Sequence, residues 1–384
     1  MAIRAYAAAK RTLSFADKLL DVNWGMLLLI TMIACAGFAM LYSVAGGHFN
    51  PWATPQIIRF ILGAFILVAV AMIDVRVWMS LAYPAYGLAL ILLIAVVVAG
   101  HVGLGAQRWI SLGPLELQPS ELMKISLVLA LARFLHGKSI EEVSQPLPLA
   151  IALGMIAIPA ALVVMEPNLG TTLIIVMDGC SLLFLAGLSW YWITPALAAI
   201  AVAVPTAWRF VLHDYQKARV MTFLNPESDA LGAGWNITQA KIAIGSGGVS
   251  GKGFLQGTQS RLNFLPEKQT DFIFTNFGEE FGFVGSVALL ILFAVVIGYG
   301  LQIAMGARSQ FGRLLAMGIT LNFFFYIMIN GLMVMGLIPV VGIPMPLLSY
   351  GGTAMLTVMF GFGLLMSVHV HRQVEIPRHS GGII

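Results

Sequence analysis

The sequence predicts an all-α polytopic membrane protein of about ten transmembrane helices, with both termini cytoplasmic and one long extracytoplasmic loop between helices 7 and 8. Three observations predict it. Of 384 residues, 59% are hydrophobic and 10% charged, where a soluble domain carries roughly a quarter charged residues, and mean hydropathy is +0.91. The apolar residues fall in runs near the 20 or so that a helix needs to cross hydrocarbon. Lys and Arg gather at alternate ends of those runs, as the positive-inside rule requires.

In chain order, "MAIRAYAAAKRTLSFADKLLD" is a mildly basic amphipathic lead-in running directly into a full-length apolar span. It lacks a signal-peptide pattern, so the N-terminus is expected to be retained. Candidate spans run near 24–44, 55–73, 77–99, 119–136, 148–165, 169–187, 190–208, 280–304, 313–334 and 352–370. With the N-terminus inside, Arg4, Lys10, Arg11, Lys18, Arg76, Arg133, Lys138, Arg308, Arg313, Arg372 and Arg378 are cytoplasmic, and the short outer loops carry only Arg108. Seven further cations lie in 209–275, but long loops translocate regardless of charge. Cys35 and Cys180 sit in apolar runs, as small core hydrophobes rather than a disulfide or metal pair. A net charge of +4 gives a nucleic-acid reading nothing to stand on. No repeat of 20 to 50 residues is visible.

Residues 209–279 are polar and Gly-rich, and a structureless loop of that length is unusual unless functional. Within it "NPESD" reads as a turn, and "NITQAKIAIG" as a short amphipathic or re-entrant helix ended by Gly245. "GSGGVSGKG" imitates a phosphate-binding loop but fails the pattern at Ser246 and Gly253. Two readings remain for these glycines: a flexible turn, or a backbone that a bulky substrate approaches closely.

The scarce charges carry the functional signal. Glu121 and Lys124 stand three apart behind Pro119, on one helical face, and ionisable groups in a span are costly enough to suggest function. The alternative is a structural ion pair that satisfies itself. Asp178, centred in "LIIVMDGCSLLF", has no local partner. In "NFLPEKQTDFIF", Asp271 stands at the expected outer surface, with Glu267 and Thr275 four residues to either side. A helix starting by Pro266 would put all three on one face. The plain reading of Asp271 is a carboxylate favoured by the helix dipole; for Glu279 and Glu280, packing or helix-polarity charges account for them as well as any chemistry. In "NGLMVMGLIPVVGIPMPLLSYGGTAML", Pro339, Pro344 and Pro346 exclude an uninterrupted helix. A re-entrant outer loop over 335–351 is expected, offering Ser349, Tyr350 and Gly351 to the vestibule that holds Asp271.

The stretches "GAQRWISLGPLELQPSELMK", "PNLGT", "RVMTFLNPESDALGAGWNITQAKIAIGSGG", "GTQSRLNFLPEKQTDFIF" and "NGLMVMGLIPVVGIPMPLLSYGGTA" resemble, in order and spacing, the shape, elongation, division and sporulation (SEDS) family. Its elongation members are more similar than its division members. The resemblance implies a peptidoglycan glycosyltransferase polymerising lipid II at the outer face of the bacterial cytoplasmic membrane, during elongation and rod-shape maintenance. It also implies a class B penicillin-binding protein as partner. Asp271 matches the family's essential acidic residue, Glu121 and Lys124 its membrane-embedded pair, and Arg108, Arg219 and Lys241 its basic positions. Two departures are visible. The family's usual Gln-Pro-Asp-Leu-Gly-Thr is "EPNLGT" here, so Asn168 lacks the expected charge and Glu166 is its nearest substitute; Gln269 stands where His is common.

Joining a hydroxyl to an α-linked donor with inversion needs one base, and a pyrophosphate leaving group needs cations more than an acid. Asp271 is the candidate base, and Lys124, Arg108, Arg219, Lys241, Lys268 and Arg261 are candidate cations, with Glu267 in support. No His/Cys/Asp cluster has metal-site spacing; a divalent cation, Mg or Mn, stays open. The rival readings are a lipid II flippase using the buried charges, and a non-catalytic scaffold for the penicillin-binding protein.

Overall fold

The computed structural model describes residues 14–377, apart from 100, 104–105, 113–114, 167, 211–216, 218–220, 224, 226–232 and 263. The first half comprises helices α1 (Phe15–Leu20), α2 (Trp24–Val44), α3 (Ala53–Met72) and α4 (Val75–Ala99), strands β1 (His101–Gly103), β2 (Ala106–Leu112) and β3 (Leu115–Leu117), then α5 (Pro119–His136), α6 (Ile140–Val143), α7 (Pro146–Met165) and α8 (Leu169–Leu185). The second half comprises α9 (Trp190–Phe210), α10 (Ala233–Ser246), α11 (Thr258–Arg261), α12 (Ile273–Gly306), α13 (Gln310–Val334) and α14 (Gly352–Val370). Among the described residues, seven helices are long and apolar enough to cross a membrane: α2, α3, α4, α7, α12, α13 and α14. The protein is therefore an all-α polytopic membrane protein across its apolar body. The short antiparallel meander β1-β2-β3 joins α4 to α5, where the sequence pattern showed only a linker.

Helix starts follow local capping chemistry. Asn23 accepts from Met26 N at 3.0 Å, Asn168 from Thr171 N at 3.3 Å and Ser309 from Gly312 N at 3.1 Å, each relieving an amide that the helix cannot pair. Pro119 and Pro146 stand in the first turns of α5 and α7, where a missing N–H costs nothing. Helices α13 and α14 bury most of their residues and form the centre of the bundle. Gly63 and Gly363 bring α3 and α14 together, against Met359 and Val70 respectively. Cys35 and Cys180 are exposed on the outside of the bundle, not in its core as expected: a small thiol is tolerated among lipid-facing side chains as readily as inside.

The two ends of the bundle differ. At one, Lys18 donates to Met72 O, Arg133 to Met79 O and Ser80 O, and Arg308 N to Arg372 O. At the other, the meander, the segment before α12 and the segment after α13 converge.

Helix α12 begins at Ile273, not at Pro266, and residues 266–272 form turns in which Glu267 takes φ +52°. The expected common face of Glu267, Asp271 and Thr275 does not exist. Pro266 supplies a helix-compatible φ, but the left-handed Glu267 breaks any helical run through it. Farther on, α12 breaks at Gly282 (φ 65°, ψ −163°). A broken helix strands backbone groups that membrane surroundings cannot hydrate. Here the Gly247–Gly253 turn satisfies them: Lys252 N donates to Glu279 O at 3.0 Å, Gly253 N to Glu280 O at 2.9 Å and Phe283 N to Gly248 O at 2.9 Å. A side chain at Gly247 or Gly251 would collide with the carbonyls of Gly278 and Glu280. These glycines thus admit the protein's own backbone. The helix expected in "NITQAKIAIG" is α10.

Candidate active site

Glu279 and Glu280 are structural. Glu279 accepts from Lys252 Nζ at 2.6 Å, from Thr258 N at 2.9 Å and from Gln259 N, capping α11; Glu280 accepts from Ser43 Oγ and from Leu255 N.

Asp271 stands in the turn before α12, and its main chain is held from two sides. Asn330 Nδ2, on α13, donates to Asp271 O at 2.9 Å and to Ile343 O at 2.7 Å, tying the turn to the 335–351 segment. One residue earlier, Ser349 Oγ donates to Thr270 O at 2.6 Å, and Tyr350 N donates to Gln269 O at 2.8 Å. Gly342 (φ +68°) lies beside the carboxylate: an added Cβ would stand 3.3 Å from Asp271 Oδ2. Burial, together with the Glu267 charge, raises the Asp271 pKa to about 7, against the opposing pull of Arg108. A carboxyl so placed is half-ionised near neutral pH, the condition under which a general base works best.

Arg108 comes from β2. Its Nε donates to Glu166 O at 3.0 Å, in the turn between α7 and α8. Glu166 is 2% exposed and its pKa is raised to about 8, burial outweighing Arg108. One guanidinium therefore stands within electrostatic reach of two carboxyl groups, Asp271 and Glu166.

The 335–351 segment is non-helical, and its buried part is Ile343 together with residues 345–349. The Ser349 hydroxyl and the Tyr350 and Gly351 amides are engaged within the protein. Ser349 Oγ also accepts from Met345 N at 2.8 Å, and Gln56 on α3 spans Ser349 O and Gly351 N at 2.9 and 3.3 Å. Tyr350 lies under the Arg59 guanidinium, 4.9 Å from ring centroid. Ser349 and Tyr350 thus form a wall that holds the main chain of residues 269 and 270, just before Asp271, and Gln56 ties Gly351 to the same wall.

Deeper in the bundle, Lys124 Nζ meets Glu121 Oε1 at 2.6 Å, and both side chains are buried. Tyr326 OH donates to the same carboxylate at 2.9 and 2.8 Å, and its ring faces Lys124 Nζ at 4.1 Å. A small cavity is lined by Gln56 and Tyr326 together with Ser349 and Gly351 of the wall. Asp178 accepts from Asn322 Nδ2 at 2.6 Å. Asn322, Tyr326 and Asn330 recur every four residues on α13, forming one polar stripe that meets Asp178, then Glu121, then Asp271. That stripe escaped the sequence reading. Polar residues at i, i+4 and i+8 in an apolar helix were its signal.

Of the other candidate ligands, Lys268 stands 5.8 Å over the Trp52 ring, and burial lowers its pKa. Glu267 accepts from Thr270 Oγ1 at 3.0 Å and Gln269 Nε2 at 3.3 Å. Lys241, on α10, lays its stem against Gly336, and Arg261 is exposed at the end of α11. Arg219 lies outside the described residues. Among the described residues, no three His, Cys, Asp or Glu side chains converge as a metal site would require.

Fold and site together define a polytopic membrane protein with a carboxyl and guanidinium site at one end of its helical bundle. The sequence pattern of the FtsW/RodA/SpoVE cell cycle proteins matches residues 18–374. The peptidoglycan glycosyltransferase MrdB of Escherichia coli (strain K12) is 44% identical over 351 residues, 91% of this chain and 94% of that protein. The probable peptidoglycan glycosyltransferase FtsW of Trichlorobacter lovleyi is 35% identical, over 91% and 94% of the two chains. Among solved structures, a chain from a peptidoglycan synthase complex studied for its coordination of polymerization and crosslinking superposes with a TM-score of 0.80 at 31% identity, covering 91% of this chain and 98% of that one. The rod shape determining protein RodA of Thermus thermophilus gives 0.69 at 28% identity, over 91% and 97%. The chain belongs to the FtsW/RodA/SpoVE family, the SEDS proteins. It is a peptidoglycan glycosyltransferase and a multi-pass inner-membrane protein.

Proposed function

We propose that the chain polymerises lipid II into glycan strands at the outer face of the cytoplasmic membrane, as the RodA-type elongation enzyme, beside a class B penicillin-binding protein that crosslinks the product. The observation that carries this reading is the Asp271 carboxyl, with a pKa of about 7, held in electrostatic reach of Arg108. The relatives named above support it. In the proposed arrangement residues 1–384 are one membrane domain of ten spans, adding α5, α8 and α9 to the seven apolar helices. Both termini are cytoplasmic, 209–279 is the extracytoplasmic loop and 335–351 the re-entrant one.

In the reaction, Asp271 removes the proton from the acceptor sugar's 4-hydroxyl as its oxygen attacks C1 of the donor from the face opposite the pyrophosphate. The bond to pyrophosphate breaks, the linkage inverts, and one carboxylate suffices, unlike the paired carboxylates of glycosidases. Arg108 grips phosphate oxygens in the bidentate manner open to a guanidinium, with Arg219, Lys241 and Lys268 as further cations. Glu121 and Lys124 line the substrate's deeper approach, and Glu267 together with the Ser349–Gly351 wall keeps Asp271 in place. A divalent cation such as Mg or Mn would share the pyrophosphate's charge, and polymer yield after chelation measures its part.

Purified protein with its partner, given lipid II in detergent, tests the assignment. Wild-type protein is expected to form polymer and Asp271→Asn none, while folding and membrane insertion are unchanged. Normal polymer from the variant would remove Asp271 from the mechanism; transbilayer movement of lipid II without polymer would favour the flippase instead.

A further inference from the structure

The turn between α7 and α8 splits its polar duties. Asn168 spends its side chain capping α8. Glu166 donates its N–H to Val163 O at 3.2 Å and accepts Arg108 Nε on its carbonyl at 3.0 Å, so its main chain is fully committed. Its carboxyl group is not. The side chain is buried, and among the described residues neither Oε1 nor Oε2 has a hydrogen-bond partner. Buried polar atoms in proteins are almost always paired, and an orphan asks for an explanation. An ionised carboxylate without donors would be costly in such a place, and burial accordingly holds this group protonated at neutral pH.

A protonated carboxyl beside a guanidinium has a defined ligand preference. Its O–H donates, and its neutrality removes the repulsion that a carboxylate would exert on an anion. Arg108 contributes a permanent positive charge. The combination fits phosphate oxygens. We propose that Glu166, protonated, is a binding residue for the substrate's phosphate groups, donating a hydrogen bond to an anionic phosphate oxygen beside Arg108. This rests on the reading of Arg108 as a pyrophosphate ligand. No covalent step is assigned to Glu166: its proton stays on the carboxyl throughout.

The sign of the pH effect follows. The active form is protonated, so kcat/KM for lipid II falls as pH rises through about 8. Two variants separate this role from packing. Glu166→Gln keeps the volume and a donor but cannot titrate; it is expected to retain activity at pH 7 within about threefold and to lose the alkaline fall. Glu166→Ala removes the donor; KM for lipid II is expected to rise about tenfold with kcat little changed, the order of one hydrogen bond to a charged group. An unchanged alkaline fall in Glu166→Gln would overturn the proposal, even if Glu166→Ala fails to fold. An unchanged KM in a folded Glu166→Ala would do the same. Binding of lipid II to Asp271→Asn and to Asp271→Asn/Glu166→Ala keeps the two assignments apart. Weaker binding on adding Glu166→Ala supports Glu166 whatever becomes of the base, and equal binding counts against it alone.

Discussion

Asp271 depends on neighbours that never touch its carboxyl. Asn330 holds its carbonyl and that of Ile343 with a single amide nitrogen. Asn330→Ala leaves both buried acceptors unpaired, each at a cost of about 1 to 3 kcal/mol. It also frees the turn to shift, and displacement of a reacting group by about 1 Å costs on the order of a hundredfold. We expect kcat for polymerisation to fall about ten- to a hundredfold while lipid II binding is kept; an unchanged kcat would mean that the wall holds Asp271 without Asn330. The pKa of Asp271 gives a second expectation. The base must be ionised, so kcat/KM falls as pH drops through about 7, and a pH profile flat down to pH 5 would exclude Asp271 as the titrating base. Glu267→Gln removes one charge that raises this pKa and should move the limb to lower pH.

At the scale of elements, the break in α12 and the glycine turn form one device. The turn's amides and carbonyls replace the intrahelical partners lost at Gly282, and contact this close excludes any Cβ at Gly247. Gly247→Ala should lower the thermal midpoint in detergent, by the equivalent of about 1 to 3 kcal/mol for overpacking. Gly87→Ala, in mid-helix with nothing within 4 Å of the added carbon, is the control, and should be neutral or stabilising. Equal midpoints for the two would refute the account of the turn. The meander is the other decisive element, because β2 carries Arg108 to Glu166 and Asp271. The stripe on α13 ties this outer site to the buried charges beneath it.

At the scale of the molecule, the Glu121–Lys124 pair separates folding from function. Removing one partner of a buried pair costs about 3 to 5 kcal/mol, whereas neutralising both together is often tolerated. Lys124→Met alone should therefore fold poorly, and Glu121→Gln/Lys124→Met should recover in thermal melts. If the pair also guides substrate, the folded double variant stays inactive in the polymer assay; full activity would make the pair purely structural.

Composition and the spacing of apolar runs determined by themselves that this is a helical membrane protein: the predicted runs fall on helices, seven of which, among the described residues, are long and apolar enough to cross a membrane. Hydrocarbon admits few alternatives: a span must be apolar, about 20 residues long and internally hydrogen-bonded. The charges around Asp271 stand out because a charge beside a span is rare, but it is the family resemblance that singles out Asp271 among them. Glu166 was visible only as a substitute for a missing Asp, Gln56 not at all, and Asn330 and Tyr326 only as polar residues spaced four apart in an apolar helix, a spacing that does not say what they meet. Only the tertiary structure decided that the glycine run meets backbone, that Ser349 and Tyr350 hold the segment before Asp271, and that Arg108 stands within electrostatic reach of two carboxyls. Those facts depend on contacts between segments as far apart as 108 and 271. No local period encodes such contacts, and the pKa of a buried acid is set by whatever the fold brings beside it.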